Sequence, residues 1–240
     1  MKIITVASLK GGVGKTTISV FLSQTLAAKG SRVLFVDLDP NNNGTDFFLS
    51  ASPPESLDRK NIEHVLTKRA GIADCIYESG GVSVLPSTLA LCRIAGDLAS
   101  NPGLILRFRA ELKRLAFDFV VIDTPPSLDS FLRTGLYAAD LILTPVSTAR
   151  WVMQAVEIIR DEVATVAETA QTPPTLRGIL SMVTAKQAEA APSEVAGVPL
   201  LRSAIIRKAS LQSLADAGKA IRQDSAAGEV FAALAAEVAA

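Results

Sequence analysis

The sequence predicts an α/β fold with a mostly parallel, doubly wound sheet that is covered by helices on both faces. Short apolar segments rich in β-branched residues alternate with longer segments whose apolar residues recur at helical spacing. The short segments carry almost no charge, which is typical of strands buried on both faces of a parallel sheet. The chain of 240 residues shows neither an internal repeat nor a linker, so we expect residues 1–240 to form one domain.

Strands and helices can be assigned in order along the chain. A predicted strand at residues 2–8 leads into a glycine-rich loop, and a helix at residues 16–29 follows and ends at Gly30. Five more strands are predicted, at residues 32–37, 82–85, 117–123, 141–145 and 176–183.

The rest of the chain is predicted to be helix and loop. The longest helix is expected at residues 150–168, and an alanine-rich helix at residues 226–240. Two regions interrupt the alternation of strands and helices. We expect an ordered loop or switch at residues 40–54, and a surface helix or loop at residues 185–197.

The composition excludes several classes of protein. Lys plus Arg and Asp plus Glu each total 24, so any polyanion must be bound by a local patch and not by bulk charge. Cys75 and Cys92 lack the spacing of a metal site, which indicates free thiols in a reducing compartment. We find no signal peptide and no apolar run of about 20 residues, and we therefore expect a cytoplasmic protein without membrane attachment.

The loop after the first strand has the composition of a phosphate-binding loop. Glycines let backbone N–H groups converge on one anion, and the N-terminus of the following helix favours negative charge. Lys15 can reach the β- and γ-phosphates of ATP, and the Thr16 hydroxyl can bind Mg²⁺. The alternative is a glycine turn that only connects strand to helix. The sequence thus predicts a P-loop NTPase fold, in which the phosphate loop consists of Lys10, Gly11, Gly12, Val13, Gly14, Lys15, Thr16 and Thr17.

The phosphate loop departs from the usual pattern at its first position, where Leu9 replaces a glycine. The lysine that follows, Lys10, makes the loop resemble the deviant Walker A motif of the ParA/MinD family. The resemblance implies that Lys10 acts on the nucleotide of a partner subunit, so that two ATP molecules are sandwiched in a homodimer. The alternative is a solvated lysine before a glycine turn.

An acidic pair, Asp37 and Asp39, ends the second predicted strand. Ligands of open α/β sheets bind at the carboxyl ends of strands. The segment resembles the Asp-x-Asp-Pro signature of the same family, although Asn41-Asn42-Asn43 stands where Gln-Gly-Asn is common. The resemblance implies that Asp39 positions the attacking water and that Asp37 helps to organise Mg²⁺ through water. An Asx turn at the end of a strand is the alternative.

A third acidic residue, Asp123, follows four apolar residues and resembles the end of a Walker B strand. By this resemblance Asp123 holds a water bound to Mg²⁺, and it belongs to the ATP site. The next residues, Thr124-Pro125-Pro126-Ser127, resemble the family's second switch, which senses the γ-phosphate. The resemblance is specific over residues 1–150 and mostly topological beyond them.

A basic segment follows residue 200, with only Asp216 opposing it in residues 202–222. Its first part resembles the Ile-Pro-Arg segment of ParA-type proteins, with Ile206 in place of the proline. The resemblance implies that Arg207 contacts the nucleotide base and that the region binds DNA non-specifically through phosphate charge. Solvated surface charges are the alternative. The predicted DNA-binding residues are Lys186, Arg202, Arg207, Lys208, Lys219 and Arg222.

The resemblance implies a ParA-type ATPase that positions or segregates DNA or a protein cargo. It would dimerise on ATP, associate with the nucleoid, and hydrolyse ATP when a ParB-like protein or a cargo adaptor stimulates it. Because the chain begins at its first strand, we expect no DNA-reading domain before it. The alternatives are a MinD-like membrane-associated ATPase, disfavoured because residues 229–240 lack Lys and Arg, and a metabolic P-loop enzyme that uses ATP.

Overall fold

The computed structural model describes residues 1–147, 150–170 and 172–240. Within these residues nine strands form one sheet. The strands are β1 Lys2–Val6, β2 Val33–Asp37, β3 Tyr77–Ser79, β4 Val82–Leu85, β5 Phe119–Asp123, β6 Leu141–Val146, β7 Thr175–Val183, β8 Glu194–Val195 and β9 Val198–Ile206.

Helices connect these strands. They are α1 Lys15–Ala28, α2 Asn43–Leu49, α3 Pro54–Arg59, α4 Ile62–Leu66, α5 Ala95–Ser100, α6 Pro102–Leu112, α7 Ser130–Ala138, α8 Arg150–Thr169, α9 Ala185–Glu189, α10 Ala209–Asp216 and α11 Ala226–Ala239. None of the helices in the described residues is both long and apolar enough to cross a lipid bilayer.

The strand order is β3-β4-β2-β5-β1-β6-β7-β9-β8. All neighbours pair in parallel except the two edge pairs, β3 with β4 and β8 with β9. From β1 the chain runs to β2 and β4 on one side, returns to insert β5 between β2 and β1, and then continues to β6 and β7 on the other side. The predicted mostly parallel, doubly wound sheet is confirmed, and the reversal at β1 places a crevice at the carboxyl end of that strand.

Helices cover both faces because the strands are apolar on both sides. Val33 and Phe35 of β2 pack with α1, α2 and α11, whereas Leu34 and Val36 pack with α4, α6 and α7 on the other face. On the first face Phe21 of α1 makes edge-on contacts with aromatic rings of α2 and α11, at centroid distances of 5.6 and 5.5 Å.

The six predicted strands are confirmed to within one or two residues at each end, and three strands were missed. The largest of these is β9, which contains Pro199, Arg202 and Ser203 and so lacks a continuous apolar run. Glu237 of α11 accepts hydrogen bonds from the backbone nitrogens of Arg202 and Ser203, each at 2.9 Å. These contacts come from a distant helix, so the local sequence does not show them.

The prediction of a loop at residues 40–54 was wrong for α2. Asn43 and Gly44 are poor helix formers, and Asn42 at the N-cap makes no side-chain cap. A carboxyl group from β2 replaces the cap, because Asp37 Oδ2 accepts the backbone N–H of Thr45 at 2.8 Å. The helix is also held by Phe47 and the neighbouring Phe48, which pack on the aromatic rings beneath them.

We expect Gly44→Ala to destabilise the protein by about 1–3 kcal/mol, because an added Cβ would lie 2.4 Å from Cζ of buried Phe35. The matched control is Gly96→Ala in α5, where nothing lies within 4 Å of the added Cβ, so its stability should stay the same or rise slightly. Denaturant unfolding of both variants measures the difference. Equal unfolding midpoints would contradict the close packing of α2 on β2.

Candidate functional site

A cleft of about 820 Å³ lies at the carboxyl edge of the sheet, over the crevice at β1. The phosphate loop and the start of α1 form its floor, α2 forms one wall, and the end of α10 forms the other. It is large enough for a nucleotide. Its lining residues are Gly11, Gly12, Gly14, Lys15, Thr16, Thr17, Val20, Asp39, Asn41, Asn43, Asp46, Phe47, Ser50, Pro126, Met182, Gln212, Ala215, Asp216, Ala217 and Gly218.

The phosphate loop is shaped by two glycines in the left-handed region. Gly12 has φ 72° and Gly14 has φ 87°, and α1 begins directly after Gly14. No side chain caps the N-terminus of α1. The first backbone N–H groups of the helix therefore lack a side-chain acceptor and can receive an anion.

Lys15 is held at the floor of the cleft. Only 7% of it is exposed, and its Nζ donates to the backbone carbonyl of Lys10 at 3.0 Å. Burial lowers the pKa of Lys15, and the nearby charges of Asp123 and Asp39 oppose that change. The carbonyl of Lys10 is a neutral acceptor, so a phosphate can replace it and gain a charge-assisted hydrogen bond.

Asp123 joins the phosphate loop to β5. Its carboxylate is fully buried and accepts hydrogen bonds from the Thr16 hydroxyl at 2.6 Å and from the Ser19 hydroxyl at 3.0 Å. The predicted metal residues Thr16 and Asp123 are therefore in direct contact. Sequence analysis did not assign Ser19, although its place one helical turn after Lys15 puts it on the face of α1 that meets β5.

Asp37 lies opposite Asp123 in the ladder between β2 and β5. It is fully buried and accepts hydrogen bonds from Asp39 N at 3.0 Å, from Thr45 N at 2.8 Å and from the Thr45 hydroxyl at 2.9 Å. Asp37 therefore also positions α2, a role that sequence analysis did not assign to it.

Burial raises the pKa of both Asp37 and Asp123, and the charge of Asp123 raises that of Asp37 further. A nearby cation would relieve this repulsion. In the described residues no group of three or more His, Cys, Asp or Glu side chains forms a metal cluster. Mg²⁺ fits such a site, since it retains several waters and takes few protein ligands beside substrate phosphates.

Asp39 lies on the cleft wall and is 6% exposed. One of its carboxylate oxygens accepts the backbone N–H of Asn41 at 2.9 Å and its side-chain amide at 3.0 Å. This is the Asx turn that the sequence offered as the alternative for this aspartate. The turn leaves the other carboxylate oxygen for a ligand, so the two interpretations are compatible.

Five predicted site residues do not line the cleft. Val13, Asp37 and Asp123 are buried, whereas Lys10 and Arg207 are exposed. The wall opposite α2 is formed by the end of α10, where Gln212 donates to Asp216 at 2.7 Å. Gly218 follows with φ 59°, and a Cβ there would lie 3.0 Å from the backbone carbonyl of Phe47. A glycine after a helix was the available signal for this close approach.

The predicted DNA-binding residues are all exposed, but they fall into separate groups. The backbone N–H of Arg207 donates to the carbonyl of Val183 at 2.8 Å, which joins the ends of β9 and β7. Lys186 and Lys208 lie within three residues of this bond in sequence, so both are near the carboxyl edge of the sheet. Arg202 lies inside β9, farther from that edge.

Lys219 and Arg222 lie between α10 and α11. Arg222 Nη2 pairs with Asp224 Oδ2 at 2.7 Å, and the two side chains are 80% and 69% exposed. An ion pair this exposed adds little stability, but it offsets the charge of Arg222 toward an approaching polyanion. Asp224 lies just beyond the segment in which only Asp216 opposed the basic residues.

The charge of the cleft is unbalanced for a polyphosphate. Among the described residues that line it, Lys15 is the only lysine or arginine, and three aspartates accompany it: Asp39, Asp46 and Asp216. Positive charge beyond that of Lys15 would strengthen the binding of a nucleoside triphosphate here.

The chain is similar to known sequences over most of its length. A family model described as an AAA domain, AAA_31, matches residues 1–176. The maintenance of carboxysome distribution protein A of Synechococcus elongatus is 32% identical over 183 residues, which cover 75% of this chain and 71% of that protein. The sporulation initiation inhibitor protein Soj of Bacillus subtilis is 29% identical over 187 residues, with the same coverages.

Solved structures share the fold. An ATP complex of a McdA variant from Cyanothece matches with a TM-score of 0.84 at 24% identity, over 99% of this chain and 95% of that one. The cobyrinic acid a,c-diamide synthase of Mycobacterium smegmatis, with bound ADP and magnesium, matches with a TM-score of 0.73 at 24% identity, over 90% and 93%. The same fold therefore occurs in a McdA protein and in a diamide synthase, so the function of this chain has to be argued from its site.

We expect Lys15→Ala to weaken the binding of Mg²⁺ and ATP by about 100-fold or more, because it removes charged hydrogen bonds to two phosphates. Lys29→Ala, at an exposed lysine beyond the other end of α1, is the control and should bind as the parental chain does. Isothermal titration calorimetry measures both affinities. Parental affinity in the Lys15 variant would show that the nucleotide binds elsewhere.

Proposed function

Because this chain belongs to the AAA_31 family and is a small ParA-type P-loop ATPase, we propose that residues 1–240 form a single ATPase domain that works as a nucleotide-dependent dimer. The dimer binds DNA non-specifically and hydrolyses ATP when a partner protein stimulates it. The observation that carries this proposal is the cleft, which offers one lysine to a triphosphate while Lys10 lies exposed beside it.

The chain's own residues supply most of what ATP hydrolysis requires. Lys15 would bind the β- and γ-phosphates together with the backbone N–H groups of the phosphate loop. Asp39, on the cleft wall, orients the attacking water. Thr16 and Asp123 fit Mg²⁺, Thr16 as a direct ligand and Asp123 through water, and Asp37 adds charge behind them. When bound, Mg²⁺ neutralises charge on the phosphates and favours phosphoryl transfer.

Dimerisation would add a second positive charge to the nucleotide site. Lys10 does not line its own cleft, and its carbonyl is occupied by Lys15. A two-fold dimer that closes over the nucleotides would bring Lys10 of the partner subunit to the γ-phosphate, as an arginine finger acts in trans in other NTPases. Because the phosphates attract both lysines, ATP would favour the dimer.

DNA binding would use the basic residues at the carboxyl ends of β7 and β9. Lys186, Arg207 and Lys208 are exposed there and make no ion pair among the described residues. Three such residues are too few to hold DNA at physiological salt, and a dimer doubles them. The ATP form would thus be associated with the nucleoid.

One relative supports positioning as the use of this cycle, since its name refers to the maintenance of carboxysome distribution. We propose that the chain positions or segregates a DNA or protein cargo, with a ParB-like protein or a cargo adaptor as activator. Attachment to a membrane through the C-terminal helix is not favoured, because Phe231, Leu234 and Val238 of α11 are buried in the core with α1.

Lys10→Ala and Asp39→Ala should have opposite effects on assembly. Lys10→Ala should bind ATP but stay monomeric, because the charge supplied in trans is lost. Asp39→Ala should bind ATP, accumulate as a dimer and hydrolyse about 100-fold or more slowly, because the water is no longer oriented. Analytical ultracentrifugation with Mg²⁺ and a non-hydrolysable ATP analogue or ATP, together with phosphate release, tests both. A dimer of normal affinity in Lys10→Ala would exclude the sandwich arrangement.

Lys186→Glu combined with Lys208→Glu should greatly weaken ATP-dependent DNA binding without changing ATP affinity, because both side chains lie outside the cleft. In a dimer the salt slope of DNA binding should fall by up to about 4, since each lost phosphate contact removes about 1. Lys29→Glu with Arg114→Glu reverses two exposed charges near the opposite edge of the sheet and should bind normally. The same slope in both double variants would place the DNA surface elsewhere.

A further inference from the structure

We propose that Ser181 is a positioning residue that holds the phosphate loop in its anion-binding shape from two strands away. Nothing in the sequence motifs marks this residue, since it lies inside β7 and far along the chain from the loop. Its effect on nucleotide affinity rests on the proposed function, whereas its effect on the shape of the loop does not.

The contact between Ser181 and the loop is direct and buried. The Ser181 hydroxyl donates to the backbone carbonyl of Val13 at 2.7 Å, and Ser181 is 0% exposed. The same hydroxyl oxygen lies 2.9 Å from the position that a Cβ of Gly14 would take. The serine therefore fixes the orientation of one peptide group of the loop and packs against the next residue.

An irregularity in β7 makes this contact possible. In a regular strand successive side chains point to opposite faces, so Ser181 and Met182 could not both touch Gly14. Here Met182 also reaches that position, with its Cε 3.0 Å away. Met182 has φ 56°, and the register with β9 shifts by one residue between Ser181 and Val183. The extra residue turns both side chains toward the loop.

A left-handed methionine costs energy, and such strain concentrates at functional sites. The bulge places the loop against β7, whose end is bonded to Arg207 of β9. The loop is thus supported by β1 on one side and, on the other, by the strand pair β7 and β9, whose carboxyl ends are followed by Lys186 and Lys208. If Ser181 loses its hydroxyl, the Val13 carbonyl lacks its donor, and the loop has to be ordered again when a nucleotide binds.

The test compares Ser181→Ala with Thr5→Val. Thr5 is also fully buried and donates to a backbone carbonyl of another element, that of Gly135 at 2.8 Å, so its hydrogen bond holds α7 and not the loop. The first measurement uses nucleotide-free protein and trypsin, and it compares cleavage after Lys10 with cleavage after exposed Lys60 in the same sample. The second measures the affinity for a non-hydrolysable ATP analogue with Mg²⁺.

In Ser181→Ala we expect relative cleavage after Lys10 to rise, and affinity to fall, by about tenfold each, which is the scale of one unpaired buried carbonyl. Thr5→Val should be less stable to denaturant, but its relative cleavage after Lys10 and its affinity for the ATP analogue should be unchanged. Ser181→Cys keeps the shape with a weak donor and should resemble Ser181→Ala, so it serves if the alanine variant does not fold.

Parental cleavage and affinity in the folded Ser181 variants would overturn the proposal, as would equal changes in Thr5→Val. A parental chain that binds no nucleotide would refute the proposed function alone, because the cleavage ratio still decides whether Ser181 holds the loop.

Discussion

The structure depends on one buried carboxylate, that of Asp123, which connects the phosphate loop to the centre of the sheet. It accepts the hydroxyls of Thr16 and Ser19, and these two contacts fix the first turn of α1 over the end of β5. Lys15 directly precedes Thr16 in the same turn, so its position follows from the same contacts. An apolar residue at position 123 would leave two hydroxyls without this acceptor and the loop without its anchor.

The buried negative charge of Asp123 also affects the neighbouring groups of the site. Asp37 faces it across the ladder between β2 and β5, and burial raises the pKa of both. Hydrogen bonds from Thr45 and Asp39 offset part of the cost at Asp37, and in doing so they attach α2 to β2. The remaining negative charge of the two aspartates favours cations. Lys15 supplies one positive charge, and Mg²⁺ and a second lysine would supply more.

Local patterns were sufficient for the centre of the fold and for the floor of the site. Apolar runs predicted β1, β2, β5, β6 and β7. The glycines and the acidic residues at strand ends indicated that Lys15, Asp39 and Asp123 would lie close together. The walls of the cleft could not be predicted in the same way. The helix α2 depends on the carboxyl group of Asp37, and the approach of Gly218 to the Phe47 carbonyl depends on two elements that are distant in sequence. The support from Ser181 is a hydrogen bond to a backbone carbonyl, which leaves no trace in residue spacing.

A crystal structure with Mg²⁺ and a non-hydrolysable ATP analogue is the most direct test of the proposal that two copies of this chain share their nucleotides. We expect a two-fold dimer in which Lys15 Nζ has left the Lys10 carbonyl for the β- and γ-phosphates and Thr16 has left Asp123 for Mg²⁺. In that dimer, Lys10 of the partner subunit lies within hydrogen-bonding distance of the γ-phosphate. A nucleotide bound in the cleft of a monomer, with Lys10 of every copy remote from any phosphate, would contradict it.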